Sequence, residues 1–284
     1  MSVLSWLLAV NLSLPWQLVE HHQVLNNQQQ VVAGQCSSQW LDATRSRLND
    51  PSIALPNPFE LVVWNTYKQQ LPGFQAEFER VASQTDVLAL QEVVAEPWLV
   101  TLLGQPEWFR HQSNAFFSAR QHGYAATGVS TSARVPARHV CGWWAEEPWL
   151  PVPKTALLTV FSLSDEGALW LVNLHAINFT LGVIDYQNQL EQISRLLKWH
   201  TGPIIVSGDF NSWRETRHDA LVAFNQELGL EAVSWQPDER VTFLGQPVDH
   251  VFYRGLVVEQ AAVEATQVSD HSRLRVRFKL FNAD

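Results

Sequence analysis

Six short clusters of acid, amide and imidazole residues are spread along this chain, each at the end of an apolar run or inside one. The most informative is Gly208-Asp209-Phe210-Asn211, which directly follows Pro203-Ile204-Ile205-Val206-Ser207. The others are Trp64-Asn65, Gln91-Glu92, Asn173-Leu174-His175, Asp249 within Val248-Asp249-His250-Val251-Phe252, and Ser269-Asp270-His271. Carboxylates such as Glu92 and Asp270 are hard oxygen donors that suit Mg²⁺ or Mn²⁺, ions held by one or two carboxylates together with water. Amides donate and accept without adding charge. An imidazole beside an Asp gains stability in its protonated form, which suits it to bind an anion. No Cys/His spacing for zinc is present. Together these groups supply candidates for the three demands of hydrolysing a phosphodiester near neutral pH. Developing charge is neutralised, water is activated, and the leaving group is protonated.

Such groups act only if the fold brings them together, and the runs they terminate read as buried strands. Apolar or alternating runs at 59–64, 86–90, 168–174, 203–207, 248–253 and 274–280 predict six strands. Asp209 and Asn211, two apart, fall on one side of an extended chain, just past a strand's carboxyl end, where open α/β sheets place their chemistry. Tyr186, Leu190, Ile193 and Leu197 recur at helical spacing within 185–200, which predicts an amphipathic helix packed on a sheet. Further helices are expected at about 215–228, 73–83 and 97–103. Strands and helices alternate, so the class is α/β (α+β).

The ordered series resembles the endonuclease/exonuclease/phosphatase superfamily, the DNase I-like enzymes, over residues 59 to 280. The stretches Val63-Trp64-Asn65-Thr66-Tyr67-Lys68-Gln69-Gln70, His175 to Val183 and Val251-Phe252-Tyr253-Arg254-Gly255-Leu256 look more specifically like its YafD-like bacterial branch. The resemblance implies a four-layer αββα sandwich, two mixed β-sheets face to face with helices outside. It implies that Glu92 and Asp270 anchor the metal, with Asn65 positioning metal waters, while Asp209 orients or deprotonates the attacking water. Asn65 and Asn211 would position phosphate oxygens, His271 would meet the phosphate while held by Asp249, and His175 would bind another phosphoryl oxygen. AP-endonuclease-like members often carry tyrosine where His175 stands, which weakens an abasic-site reading. The implied activity is metal-dependent hydrolysis of phosphodiester bonds in nucleic acid. The alternatives are a phosphomonoesterase or phospholipase C-like hydrolase on a small or lipid phosphate ester, and a non-catalytic binding protein on the same fold.

Bulk properties bound the rest. At 284 residues, 46% hydrophobic and 17% charged, the chain is globular, and no linker divides 59–280, so residues 31–284 are expected to form one domain. Residues 1–30 are expected to be an appendage outside the fold, a mis-assigned start being one explanation, with Asn26-Asn27-Gln28-Gln29-Gln30 as linker. The apolar run Val3 to Val10 is too short to span a bilayer and lacks a basic flank, so no stable membrane insertion is expected. Cys36 and Cys141 can pair only if the fold brings them together and read more simply as free thiols of a reducing compartment, which points to a cytoplasmic protein, expected to be monomeric. The net charge of −9 argues against a wide basic surface for nucleic acid. Candidate phosphate contacts are Lys68, Arg120, Arg134, Arg138, Arg214, Arg217 and Arg254. Trp143, Trp144 and Trp149 are candidates for a substrate-facing rim, Asn178 either caps a loop or reaches the cleft, and His139, His218 and His250 read as structural.

Overall fold

A computed structural model describes residues 16–19, 22–37, 53–121, 123–148, 150–164, 167–180 and 182–281. In chain order the elements are β1 (Trp16–Leu18), β2 (Val24–Leu25), β3 (Val31–Ala33), β4 (Phe59–Asn65), α1 (Phe74–Ala82), β5 (Val87–Val94) and α2 (Pro97–Leu102). Next come β6 (Phe109–Arg120), β7 (Gly123–Ala133), β8 (His139–Glu147), β9 (Leu150–Ser162), β10 (Ala168–His175), α3 (Ile184–Leu197), β11 (Ile204–Asp209) and α4 (Glu215–Leu228). The chain closes with β12 (Glu231–Ala232), β13 (Thr242–Phe243), β14 (Gln246–Pro247), β15 (Asp249–Arg254), β16 (Leu256–Glu264) and β17 (Arg273–Leu280).

Two large sheets form. The first runs β16-β17-β4-β5-β7-β6-β2-β3, with β1 also on β6, and the second runs β12-β15-β11-β10-β9-β8. Each contains one parallel pair, β4 with β5 and β10 with β11, among antiparallel neighbours, so both sheets are mixed. Three buried clusters show the layering. Leu61, Val63, Val87 and Ala89 meet Leu169, Leu171, Ile205 and Val251 between the sheets. On the outer face of the first sheet, Val62, Trp64, Leu88 and Leu90 pack on Phe74, Phe78 and Leu99 of α1 and α2. On the outer face of the second, Val172, Leu174, Ile204 and Val206 pack on Ile193, Leu197, Leu221 and Phe224 of α3 and α4. Successive side chains of a strand point to opposite faces, so a strand buried on both sides reads as an unbroken apolar run. The expected four-layer sandwich is the observed fold.

Four expectations are corrected. Part of the stretch set aside as an appendage lies in the sheet: Trp16, Gln17 and Leu18 pair with Ser118, Phe117 and Phe116, and Val24 and Leu25 are buried against β6. Residues 1–15 lie outside the described residues. The polar tract is a turn rather than a linker, because Asn26 Oδ1 accepts from the backbone of Gln28 and Gln30, both at 3.0 Å. Cys36 and Cys141 are not free thiols; they form a disulfide. Gln35 bridges to Gly142 beside it, so the segment after β3 ties the first sheet to the edge of the second. Disulfides persist in oxidising surroundings, so the cysteines give no support to a cytoplasmic location. Finally, Trp143 and Trp144 are buried, Trp144 donating to the Asn114 carbonyl at 2.6 Å, and form no rim. Trp149 lies outside the described residues. Among the described residues no helix is long and apolar enough to cross a membrane.

Candidate active site

The two parallel pairs put four carboxyl strand ends on one edge of the sandwich, and the polar clusters arrive there. Asn65 is opposite Gln91 in the β4/β5 register, His175 is opposite Asp209 in β10/β11, and Asp209 is opposite Asp249 in β11/β15. Gly208 has a steric role at this point. Its φ is +138°, and a Cβ there would stand 1.9 Å from the Leu174 carbonyl oxygen, so only glycine lets β11 lie this close to β10 while turning Asp209 to the edge. Asn211 follows at φ 47°, a left-handed conformation that Asn tolerates better than most residues.

Asp209 is fixed at both carboxylate oxygens. Oδ2 accepts from Asn65 Nδ2 at 3.0 Å and Oδ1 accepts from the Asn211 backbone N–H at 3.0 Å. Asn65 is engaged at its other end too, Oδ1 accepting from the Tyr67 N–H at 3.1 Å. Asn211 donates through Nδ2 to the Ala176 carbonyl at 2.9 Å. His271 Nδ1 lies 2.7 Å from Asp249 Oδ2, and donor atoms of Asp209, Asp249 and His271 lie within 4.8 Å of one another. Burial opposes charge on His271, yet Asp249, Asp209 and Asp270 outweigh it and push the imidazole up to about 10. His271 is therefore an imidazolium near neutral pH.

Glu92 sits where β5 and β7 lose register between Leu90 and Val93, at φ 53°. The bulge turns its side chain into the cleft. There Oε2 meets Lys68 Nζ at 2.7 Å and Oε1 lies 3.9 Å from His175 Nε2. Lys68 is delivered by a left-handed turn in which Tyr67, Lys68 and Gln69 have φ of 48°, 54° and 53°. For residues other than glycine this conformation costs about 1–2 kcal/mol each. Gln69 clamps the turn by exchanging two hydrogen bonds with the Val94 backbone, at 3.1 and 3.0 Å. Strain held in place beside a charged cleft is characteristic of functional sites.

Burial would raise the Glu92 carboxyl, but His175, Lys68 and Lys154 hold it at about 2. His175 is itself driven down to about 4, first by burial and then by Lys154, against the pull of Asp209 and Glu92. It is neutral near pH 7, so the two lysine ammonium groups carry the effect on Glu92. Lys154 Nζ lies 2.8 Å from His175 Nε2. With the ring neutral, that nitrogen accepts from the ammonium, which assigns the ring proton to Nδ1. Asp270 is shifted the other way: partial burial raises its carboxyl, and Glu92 and Asp209 add to that while His271 opposes it. Glu92 and Asp209 thus each repel Asp270, and carboxylate oxygens are the chemistry that suits a hard divalent cation, although the ligand atoms that come within 4.8 Å of one another are those of Asp209, Asp249 and His271.

The seven cationic candidates divide. Lys68 is in the cleft, and Arg120 touches it, Nη2 donating to the Lys68 carbonyl at 3.3 Å. Arg214 is exposed beside Trp213, which follows β11. Arg217 is not a phosphate contact but a buried brace, donating to the carbonyls of Ile177, Asn178 and Asn211 and to Thr180 Oγ1. Arg134, Arg138 and Arg254 lie at the opposite edge, beside the start of β5, the end of β9 and the start of β11. Asn178 faces the site's rim: its Oδ1 accepts from Trp213 Nε1 at 2.8 Å. Trp213 stands edge-on to Phe243 at 5.6 Å, and Phe179, Phe243 and Leu244 are exposed, the last at 73%. Among the described residues these, and not Trp143 and Trp144, are exposed or partly exposed apolar residues beside this edge. Sequence reasoning missed Lys154; the one signal is a lone charge in the run Thr155-Ala156-Leu157-Leu158 that follows it.

A two-sheet sandwich whose parallel strand ends gather fixed carboxylates, an Asp-held imidazolium and lysines defines a hydrolase of phosphate esters. The chain belongs to the endonuclease/exonuclease/phosphatase family, whose match spans residues 62–271. Among its relatives in the YafD-like branch is a UPF0294 protein of Vibrio cholerae, 40% identical over 231 residues that make up 81% of each chain. Among solved structures, the endonuclease/exonuclease/phosphatase from Bacteroides vulgatus aligns with a TM-score of 0.60 at 17% identity, covering 80% of this chain and 100% of that one. The human Nocturnin catalytic domain with bound sulfate anion aligns at 0.59 and 16% identity, covering 81% and 97%.

Proposed function

We propose that this protein hydrolyses phosphodiester bonds, with nucleic acid as substrate, in a reaction that depends on Mg²⁺ or Mn²⁺. The observation that carries the reading is the His271 imidazolium, held 2.7 Å from Asp249, facing Asp209 across a site that also contains Glu92 and Asp270. A cation beside a fixed carboxylate is the pairing needed to hold a phosphoryl oxygen and take a proton from water at the same phosphorus. Glu92 and Asp270 would hold the ion, whose contribution when bound is to withdraw charge from the scissile phosphate and to lower the pKa of water.

The chain's own groups do the remainder. Asp209 is locked by Asn65 and Asn211 and accepts the proton of the attacking water. His271 donates Nδ1–H to Asp249, which leaves Nε2–H for a phosphoryl oxygen. Lys154, 2.8 Å from the neutral His175, supplies a second cation to the cleft. A sulfate bound to the Nocturnin domain shows that protein taking a tetrahedral anion, in keeping with this reading.

A second reading is favoured by the exposed rim of Phe179, Phe243 and Leu244: a phosphate ester with an apolar group, including a lipid. One panel tests both. Hydrolysis of plasmid DNA, single strands, bis(para-nitrophenyl) phosphate, para-nitrophenyl phosphate and a phospholipid is measured with and without Mg²⁺ or Mn²⁺. The proposal expects metal-dependent cleavage of nucleic acid and of the aryl diester. Turnover confined to the monoester or to the phospholipid contradicts it and selects the second reading.

A further inference from the structure

The hairpin of β6 and β7 rises past the catalytic edge, since Val94 at the end of β5 is opposite Thr127 near the start of β7. On its outer face lies a cavity of about 440 Å³ outside the catalytic cluster. One wall is the hairpin: Asn114, Phe117, Arg120, Tyr124 and Ala125. Gln23, Leu25, Gln29 and Val31 of the disulfide-tied amino-terminal segment, which pairs beside β6, and Pro97 and Val100 of α2 continue the lining. The volume is that of a small-molecule site.

The cavity is physically joined to the cleft. Arg120 lines it, pairs with Glu96 at 2.8 Å, and donates to the carbonyl of Lys68, whose ammonium holds Glu92. A substrate with its phosphate among Glu92, Asp209 and His271 therefore meets Arg120 first and the cavity next as it extends along this side. The lining combines two chemistries. Tyr124, 38% exposed, and Phe117 bring aromatic rings to the lining, while Gln23 and Gln29 bring amides that both donate and accept. Ring faces beside donor and acceptor edges, next to an arginine, are the requirements of an unstacked nucleobase with its phosphate.

We infer that this cavity is a subsite for a nucleobase of the substrate, taken one step from the scissile phosphate, with Arg120 at the intervening backbone. The inference rests on the phosphodiesterase reading, and the test keeps the two apart. The kcat/KM for the para-nitrophenyl ester of thymidylate is divided by that for bis(para-nitrophenyl) phosphate, in wild type, in Tyr124→Ala and in Ala125→Trp, which fills the cavity. Both positions are on the surface hairpin, and circular dichroism checks their folding. The ratio is expected to fall about tenfold in each variant, mainly through KM of the nucleotide ester. An unchanged ratio with active enzyme overturns the subsite and leaves the phosphodiesterase standing. If wild type turns over neither ester, the phosphodiesterase reading falls and calorimetry with AMP and ribose phosphate decides the subsite. AMP binding that weakens in both variants while ribose phosphate does not respond supports it; failure of wild type to prefer AMP overturns it.

Discussion

Asn65 donates through Nδ2 to Oδ2 of Asp209 at 3.0 Å, a buried hydrogen bond between residues 144 apart that joins a strand end of one sheet to a strand end of the other. Since Asn211 N–H holds the second oxygen, Asp209 has a single orientation. The Asp209 carboxylate is thus set by the docking of two sheets and not by either alone.

Removing the Asn65 contact frees Asp209 to rotate while its charge remains. Asn65→Ala is expected to lower kcat by about 10²-fold, the scale of a misplacement near 1 Å, with KM little changed. A fall in KM affinity at constant kcat would show Asn65 acting on substrate binding instead.

His271 is charged in the folded protein up to about 10, whereas an unfolded histidine loses its proton near 6.5. The folded pKa is raised, so this stabilisation is fully present below pH 6.5 and is lost as pH rises through about 10. Unfolding by urea should show stability falling across that window, and Asp249→Asn should flatten the fall. An NMR titration that finds His271 neutral at about pH 8 in the metal-free protein would refute the pairing.

His250 shows the opposite sign. Its ring stacks on Phe252, its Nδ1 lies 3.2 Å from Arg240, and burial followed by the Arg240 charge drives it down to about 3. The folded pKa is depressed, so stability is full above pH 6.5 and is lost as pH falls from there toward 3. Between about pH 6.5 and 5 the loss attributable to His250 is about 1–2 kcal/mol. His111 and His200 are also depressed, so the measurement is the difference in acid sensitivity between wild type and His250→Gln.

Reduction of the Cys36–Cys141 bond, which spans 105 residues, is expected to lower unfolding stability by about 2–4 kcal/mol. Thermal melts with and without dithiothreitol, repeated on Cys36→Ser, give the value. Identical melts would show that β2 and Gln35 hold the segment unaided.

Much of this site is legible in sequence because the runs before Asn65, His175 and Asp209 are mostly apolar and buried, so a cluster of polar residues at their carboxyl ends marks the edge. Helix 215–228 coincides with α4, and α3 begins one residue earlier than expected. Contacts made by register and by distant edges are not legible. Lys154 reaches His175 only because β9 lies beside β10, and Cys36 meets Cys141 only because the amino-terminal segment crosses from one sheet to the other. The tract 26–30 has a linker's composition, but Asn26 folds it into a turn and Asn27 Nδ2 anchors it to the Trp108 carbonyl at 2.6 Å. Arg217 is basic like a phosphate ligand, yet its donors are spent on loop carbonyls.

Under the proposed function Asp209 and His271 act on a phosphodiester in one cleft. The most direct test is the Mg²⁺- or Mn²⁺-dependent turnover of bis(para-nitrophenyl) phosphate by wild type, Asp209→Asn and His271→Ala, each shown to be folded by its melt. Turnover by wild type is expected to disappear on chelation and to fall by at least about 10²-fold in each variant. Folded variants that keep wild-type turnover, or metal-independent turnover by all three proteins, would contradict that function.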